Sequence, residues 1–273
     1  MCKQHPVPTF VQLNTTKLGS KELSDIFAKD GINCRSHAFL PNCLEISDSG
    51  SIGELYGHGE GLFYVQDPAA RLSVLAAAPK AGDRVLDACA APGGKSFAAA
   101  MMMEDKGEII SCDLHKNKLS RIKTGAEHLG LSIISTKTMD AAQPEEGFFE
   151  SFDLVIADVP CSGLGVIRKK PDIRYKNTAG FKNLPELQLS ILKGLAPCVK
   201  KGGSLLYSTC TLLPEENEGL IARFLELHPS FSPEDFILPE PIGQSHNGML
   251  SLYPHIHGTD GFFICKLRKS NEN

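Results

Sequence analysis

The chain has 273 residues, 42% of them apolar and 22% charged, with 25 glycines and nine cysteines. That length accommodates one large domain or two smaller ones around a substantial core, and the composition is not that of a disordered segment. A net charge of −4 excludes a general nucleic-acid coat protein, so any phosphate-binding charge has to be local.

The opening Met1-Cys2-Lys3-Gln4-His5-Pro6 is polar, and nowhere do about 18 apolar residues run together. Neither a membrane span nor a secretory signal is expected, and the scattered cysteines read as free thiols in a reducing cytoplasm. Phe10–Thr15 is expected to be a strand. Ser20-Lys21-Glu22-Leu23 reads as a capping box opening a helix that ends at Gly31, and His37–Ile46 as a returning strand. Residues 1–63 carry five Lys/Arg against seven Asp/Glu, so this small α/β module is no strong phosphate binder by charge alone.

From Tyr64 the pattern changes, and residues 64–273 are expected to form a second, larger domain in which strands alternate with helices. Arg84–Cys89 is a short apolar strand, followed by a helix from Lys95 through Met101–Met103. Glu108–Asp113 is a second strand, His115–Leu129 an amphipathic helix, Ile133–Thr138 a third strand and Phe152–Val159 a fourth. Pro185–Val199 reads as helix and Gly203–Cys210 as a fifth strand. Pro214-Glu215-Glu216 opens another helix, with proline in its first turn, and Met249–Tyr253 with Gly261–Leu267 form an antiparallel pair. The alternation predicts an α/β, doubly wound, mainly parallel sheet with helices on both faces and an antiparallel C-terminal strand.

Ligands of such sheets bind at the carboxyl ends of the strands near the switch in strand order. Ala90-Ala91-Pro92-Gly93-Gly94-Lys95 occupies the first strand-to-helix turn, where small residues let the backbone approach a ligand and a helix N-terminus offers free N–H groups. Asp113 ends the second strand, where an acid takes ribose hydroxyls, and Asp140 follows the third, within reach of an adenine amino group. Either acid taken singly also fits a helix cap or a solvated loop; together with the turn they favour a nucleoside ligand.

Two cysteines end two core strands on that same edge, Cys161 in Asp158-Val159-Pro160-Cys161-Ser162-Gly163 and Cys210 in Ser208-Thr209-Cys210-Thr211. A cysteine at a strand end is ordinarily a small buried hydrophobe. Two of them among polar residues beside a ligand crevice point to thiol chemistry instead. A disulfide is a poor match to a reducing compartment. No metal site is expected, since no C-x-x-C or H-E-x-x-H spacing exists and His255-Ile256-His257 stands alone.

Residues 84–265 resemble the Sun-type (Fmu, RsmB-like) branch of the RNA cytosine-5-methyltransferases, relatives of the eukaryotic Nol/Nop/Sun proteins. The matching segments are DACAAPGGKS, DVPCSGLGVIRKKPDIRY, GSLLYSTCTLLPEENE and DGFFICKL, and the stretch ending in GLFYVQD resembles the small module that precedes that family's catalytic domain. The resemblance implies a Rossmann-like class I S-adenosylmethionine-dependent methyltransferase fold, S-adenosyl-L-methionine as cofactor and RNA as partner. The substrate it implies is small-subunit (16S) ribosomal RNA, with transfer RNA as the alternative; a monomer is expected.

Carried over by position, the resemblance makes Cys210 the nucleophile that adds to carbon 6 of the cytosine. Carbon 5, too electron-poor to attack a sulfonium methyl unaided, thereby becomes nucleophilic. Asp158 would hold or protonate the nitrogen 3 edge, and Cys161 is tied to release of the carbon 5 proton. The resemblance also places Lys95 near the cofactor and Arg168 near the substrate. A free thiol has a pKa near ~8.5, so Cys210 needs local activation that the sequence does not identify. Arg168, Lys169, Lys170 and Arg174, with Lys176 and Lys182, put six bases against one acid directly after Cys161 and are expected to contact RNA phosphates.

Bacterial members of the resembled branch commonly carry a NusB-like helical domain ahead of this region; the chain is expected to be either a fragment or a short form that relies on another recognition element, and weak, steeply salt-dependent RNA binding is expected. Two rival readings stand beside this one. A methyltransferase for exocyclic nitrogens or protein would carry an Asn/Asp-Pro-Pro-aromatic loop and no thiol. A non-catalytic RNA-binding or ribosome-assembly factor would show a damaged turn or lost cysteines.

Overall fold

The computed structural model describes residues 8–47, 50–175 and 178–271, so the first seven residues and Lys176 of the basic loop lie outside the described residues. The small module comprises β1 (Thr9–Leu13), α1 (Ser20–Lys29), β2 (Asn33–Ser36), β3 (Cys43–Ser47) and β4 (Phe63–Val65). Its four strands form an antiparallel sheet in the order β2-β3-β1-β4. Val11 and Leu13, two residues apart, share a face with Leu44 and Ile46 and pack on Leu23 and Phe27, one turn apart on α1. Phe10 takes the opposite face of β1 and joins the core of the larger unit.

The larger unit runs α2 (Pro68–Ala77), β5 (Arg84–Asp87), α3 (Gly94–Met102), β6 (Glu108–Asp113), α4 (Lys116–Leu129), β7 (Ile134–Thr138) and β8 (Phe152–Asp158). It continues with α5 (Leu184–Leu195), β9 (Val199–Thr209), α6 (Glu218–Leu227), β10 (Phe231–Pro233) and the short pair β11 (Ile237–Leu238) and β12 (Gly243–Gln244). It ends with β13 (Met249–Leu252), α7 (Pro254–His257) and β14 (Phe262–Lys269). The main sheet has the order β10-β14-β9-β8-β5-β6-β7, with β13 also paired to β14. β9, β8, β5, β6 and β7 are parallel, and β14 returns antiparallel to β9.

Alternate residues of each central strand face opposite ways. Val85, Ile109, Ile156 and Leu206 pack with α2, α3 and α4, whereas Leu86, Ile110, Val155 and Tyr207 pack with α5 and α6. Burial on both faces is why these strands carry consecutive apolar residues, as in Val85-Leu86, Ile109-Ile110 and Leu154-Val155-Ile156. Each fully buried Leu, Ile or Phe contributes roughly 1.5–3 kcal/mol.

The structure departs from the sequence reading at several ends. The N-cap of α1 is Gly19 rather than Ser20, because the Glu22 carboxylate accepts the Gly19 N–H at 2.9 Å. His37–Ile46 is not one strand: the chain turns between β2 and β3, with the His37 ring accepting the Leu40 N–H at 3.1 Å. The sequence reading has no helix at α2, although Asp67-Pro68 signals a cap followed by a first-turn proline, and the Asp67 carboxylate does accept the Ala69 N–H at 2.8 Å. β9 starts four residues before Gly203, across an irregularity opposite Phe152 and Leu154. Pro214–Glu216 is a 3₁₀ turn ahead of α6.

Candidate active site

Strand order reverses around β5, with β6 on one side and β8 on the other, so the carboxyl ends of β5 and β8 open a crevice between the two crossovers. A cavity of about 230 Å³ lies there, lined by Gln66, Asp87, Cys89, Ala90, Ala91, Pro92, Gly94, Lys95 and Asp158 among others. The turn is compact because Gly93 adopts φ +114°, where a Cβ would stand 2.5 Å from the Phe97 ring. At Gly94 a Cβ would crowd the Gln66 amide at 3.0 Å. Both glycines therefore serve close packing at the cavity wall.

Asp87, at the end of β5, is fully buried; its Oδ2 accepts the Ser96 hydroxyl at 2.7 Å, while its Oδ1 has no protein partner. Burial pushes its carboxyl up to about 6, against the opposing Ser96 hydrogen bond. An unpaired buried acceptor beside a glycine cradle is the feature that a ligand with polar N–H or O–H groups requires. Asp113 ends β6 but turns inward locally, its Oδ1 accepting the His115 N–H at 2.9 Å with Lys118 at 3.5 Å. Asp140 is exposed, and its Oδ1 accepts the Ala142 N–H at 2.9 Å.

Asp158 is fixed from two directions. Lys95 Nζ donates to its Oδ2 at 2.6 Å and the Ser208 hydroxyl to its Oδ1 at 2.7 Å. Lys95 is itself almost buried, with its ammonium 5.3 Å from the centre of the Phe262 ring. The carboxylate thus keeps one orientation at the cavity edge, with a cation held against it.

The two thiols meet. Cys161 Sγ lies 3.3 Å from Cys210 Sγ, as free cysteines, across the ends of β8 and β9. The contact with the Cys161 sulfur draws the Cys210 thiol below its ordinary value, against burial and the Asp158 charge; Lys95 adds a smaller pull downward. The same contact, with burial, holds Cys161 far up as the thiol. The two thiols thus differ in acidity, Cys210 held down and Cys161 held up, a difference that no local sequence feature indicated.

Two members of the basic loop are engaged internally. Arg168 Nε donates to Asp260 Oδ1 at 2.9 Å, and Lys169 Nζ bridges Asp260, at 2.9 Å, and Asp67. Asp67 caps α2 and Asp260 precedes β14, so the loop is tied to the linker from the small module and to the C-terminal hairpin. Lys170, Arg174 and Lys182 are exposed, and none forms an ion pair among the described residues. Sequence reasoning assigned no role to Asp67, Asp87, Ser208 or Asp260; the only signals were their places inside or beside the quoted motifs. Among the described residues no His, Cys, Asp and Glu group converges as a metal site, and no helix is long and apolar enough to cross a membrane.

The sheet order, the turn after β5 and the crevice at the switch point define the Rossmann-like fold of the S-adenosylmethionine-dependent methyltransferases. Residues 74–268 match the family described as 16S rRNA methyltransferase RsmB/F, and the chain belongs to that family. It is 43% identical over 277 residues to the probable ribosomal RNA small subunit methyltransferase B of Bacillus subtilis (strain 168), across 98% of this chain and 62% of that protein. The protein of the same description from Synechocystis sp. is 38% identical over 266 residues, across 95% of this chain and 60% of its own length. The chain thus spans about three-fifths of these relatives. A methyltransferase homolog protein from Pyrococcus horikoshii superposes with a TM-score of 0.81 at 29% identity, across 97% of this chain and 88% of that one.

Proposed function

We propose that the chain is the catalytic part of an RNA methyltransferase that moves a methyl group from S-adenosyl-L-methionine to carbon 5 of a cytosine in small-subunit ribosomal RNA. The reading assigns that work to the cytoplasm. The observation that carries the reading is the 3.3 Å contact between Cys161 and Cys210 beside the Asp158–Lys95 pair. The rRNA substrate is supported by the names of the curated relatives. S-adenosyl-L-methionine, when bound, supplies an electrophilic methyl group. The Ala90–Lys95 turn and the unpaired Asp87 oxygen fit its polar groups, and Asp113 and Asp140 are assigned to its ribose and adenine.

The Cys210 thiolate adds to carbon 6 of the cytosine, forming a sulfur–carbon bond and shifting electron density to carbon 5. Asp158, held by Lys95 and Ser208, meets the nitrogen 3 edge, where charge develops. Carbon 5 takes the methyl group. The carbon 5 proton then passes to a solvent base, a release to which Cys161 is assigned, and its bonding pair restores the carbon 5–carbon 6 double bond as the sulfur–carbon bond breaks to return the Cys210 thiolate. The exposed Lys170 and Arg174 are assigned to the RNA backbone and the small module to recognition of the RNA, with Arg168 and Lys169 setting the loop's position beside the pocket.

Tritiated-methyl S-adenosylmethionine with unmodified 16S and transfer RNA, followed by digestion to nucleosides, tests this. Label in 5-methylcytidine from 16S RNA is expected. Label on the exocyclic nitrogen would overturn the thiol chemistry, and label confined to transfer RNA would overturn the substrate.

A further inference from the structure

Cys161 lies between two peptide groups, each gripped by a buried side chain from another element. Gln188, fully buried on α5, donates through Nε2 to the Pro160 carbonyl at 2.9 Å and to Glu216 Oε2 at 2.7 Å. Glu216, 1% exposed in the turn before α6, accepts the Ser162 N–H on that same oxygen at 3.0 Å. The residue before Cys161 and the residue after it are thus clamped by one carboxamide–carboxylate pair. The Ser162 hydroxyl then donates to the Thr211 hydroxyl at 2.8 Å, linking the clamp to the residue that follows Cys210.

A glutamate and a glutamine are costly to bury, and apolar side chains of similar size generally stabilise such a position at least as well. What the polar pair supplies is a fixed direction for two backbone groups on either side of one thiol. We propose that Gln188 and Glu216 are positioning residues for Cys161, holding its sulfur against that of Cys210 and thereby governing both the activation of Cys210 and release of the RNA adduct. The proposal rests on the two-thiol reading above.

Two readouts test it on the whole chain, with Cys161→Ala as the benchmark. The first uses protein alone: the pH dependence of Cys210 alkylation by iodoacetamide, followed by peptide mass mapping. Besides Cys161, the charged groups that bear on Cys210 are Asp158 and Lys95, and the variants leave both in place. Cys161→Ala moves the midpoint to higher pH, and Glu216→Ala and Gln188→Leu move it the same way. Glu216→Gln, which keeps an acceptor oxygen for Ser162, stays near wild type.

The second readout is the lifetime of the adduct with unmodified 16S RNA on a denaturing gel. Glu216→Ala and Gln188→Leu are expected to lengthen it, with turnover falling about tenfold, as when one interaction made in the transition state is removed. If Glu216→Ala does not fold, Gln188→Leu, a replacement of similar size, decides alone. Wild-type behaviour of Gln188→Leu in both readouts, while Cys161→Ala shifts them, overturns the proposal. A Cys161→Ala protein that shifts neither instead overturns the two-thiol reading on which it rests.

Discussion

At the residue scale the site depends on groups held away from their ordinary chemistry. Asp87 is the clearest: buried and half-unpaired, its carboxyl sits near 6 when folded and near 3.8 when unfolded. Below pH about 4 both states hold the proton. As pH rises to about 6 the unfolded chain releases it first, so stability falls across that window by about 3 kcal/mol and stays lower above it. Asp87→Asn should remove that part of the slope, seen by comparing melting temperatures of variant and wild type between pH 4 and pH 7. An unchanged slope would mean that Asp87 is ionised in the fold.

Gly165 is constrained by close approach rather than by charge. Its N–H donates to the Cys210 carbonyl at 2.9 Å, and a Cβ there would stand 1.9 Å from the Gly261 oxygen and 2.9 Å from that of Cys210. Gly165→Ala must push the Cys210 backbone away from the hairpin, and, with Cys210 as the proposed nucleophile, turnover is expected to fall by about 100-fold, the usual consequence of a misplacement near 1 Å. Gly147→Ala, which meets nothing within 4 Å, should be neutral. Equal activity of the two variants would show that the crowding at Gly165 has no bearing on Cys210.

At the scale of elements, the basic loop carries two kinds of cation. Arg168 and Lys169 are engaged by Asp67 and Asp260, whereas Lys170 and Arg174 face solvent. Replacing Lys170 and Arg174 with alanine should lower the slope of log affinity against log salt by about 0.7–0.9 for each phosphate no longer neutralised. Arg168→Ala should instead act on the loop's placement, lowering turnover more than the salt slope. A larger slope change from Arg168→Ala than from the double variant would reverse these assignments.

The same loop shows what a sequence discloses. Glu108–Asp113 was legible residue for residue, because its buried Ile109-Ile110 pair lies between the charged residues Glu108 and Asp113 that mark the strand's ends. The turn after β5 and the two cysteines were legible because small residues and thiols at strand ends are rare in combination. The pairing of Lys169 with Asp67 and Asp260 was not, since 102 and 91 residues separate the partners and only the fold joins them. The 3.3 Å contact between Cys161 and Cys210 was hidden for the same reason. His37–Ile46 misled because its apolar residues fit a strand while the His37 side chain closes a turn.

At the scale of the whole molecule, the small module meets the larger unit through apolar packing and through specific hydrogen bonds. Asn14, fully buried, donates to the Gly61 carbonyl at 2.9 Å and to the Leu129 carbonyl of α4 at 2.7 Å, bridging module and catalytic unit. Removing it leaves two buried carbonyls unpaired, a cost of about 1–3 kcal/mol. Asn14→Ala should therefore lower the melting temperature by about 2–4 °C per kcal/mol, whereas a change confined to the module would first raise hydrogen exchange in β1 to β4. An unchanged melting curve and exchange pattern would show that the Asn14 bonds do not hold the two units together.

The central claim is that Cys210 is the nucleophile and Cys161 the residue that lets the product go. Its most direct test is a denaturing gel of protein with labelled 16S RNA and S-adenosylmethionine, run for wild type, Cys210→Ala and Cys161→Ala. Methylated RNA with little adduct is expected for wild type, neither methylation nor adduct for Cys210→Ala, and an adduct that persists for Cys161→Ala. Methylation by Cys210→Ala at the wild-type rate, or an adduct that survives its removal, would contradict it.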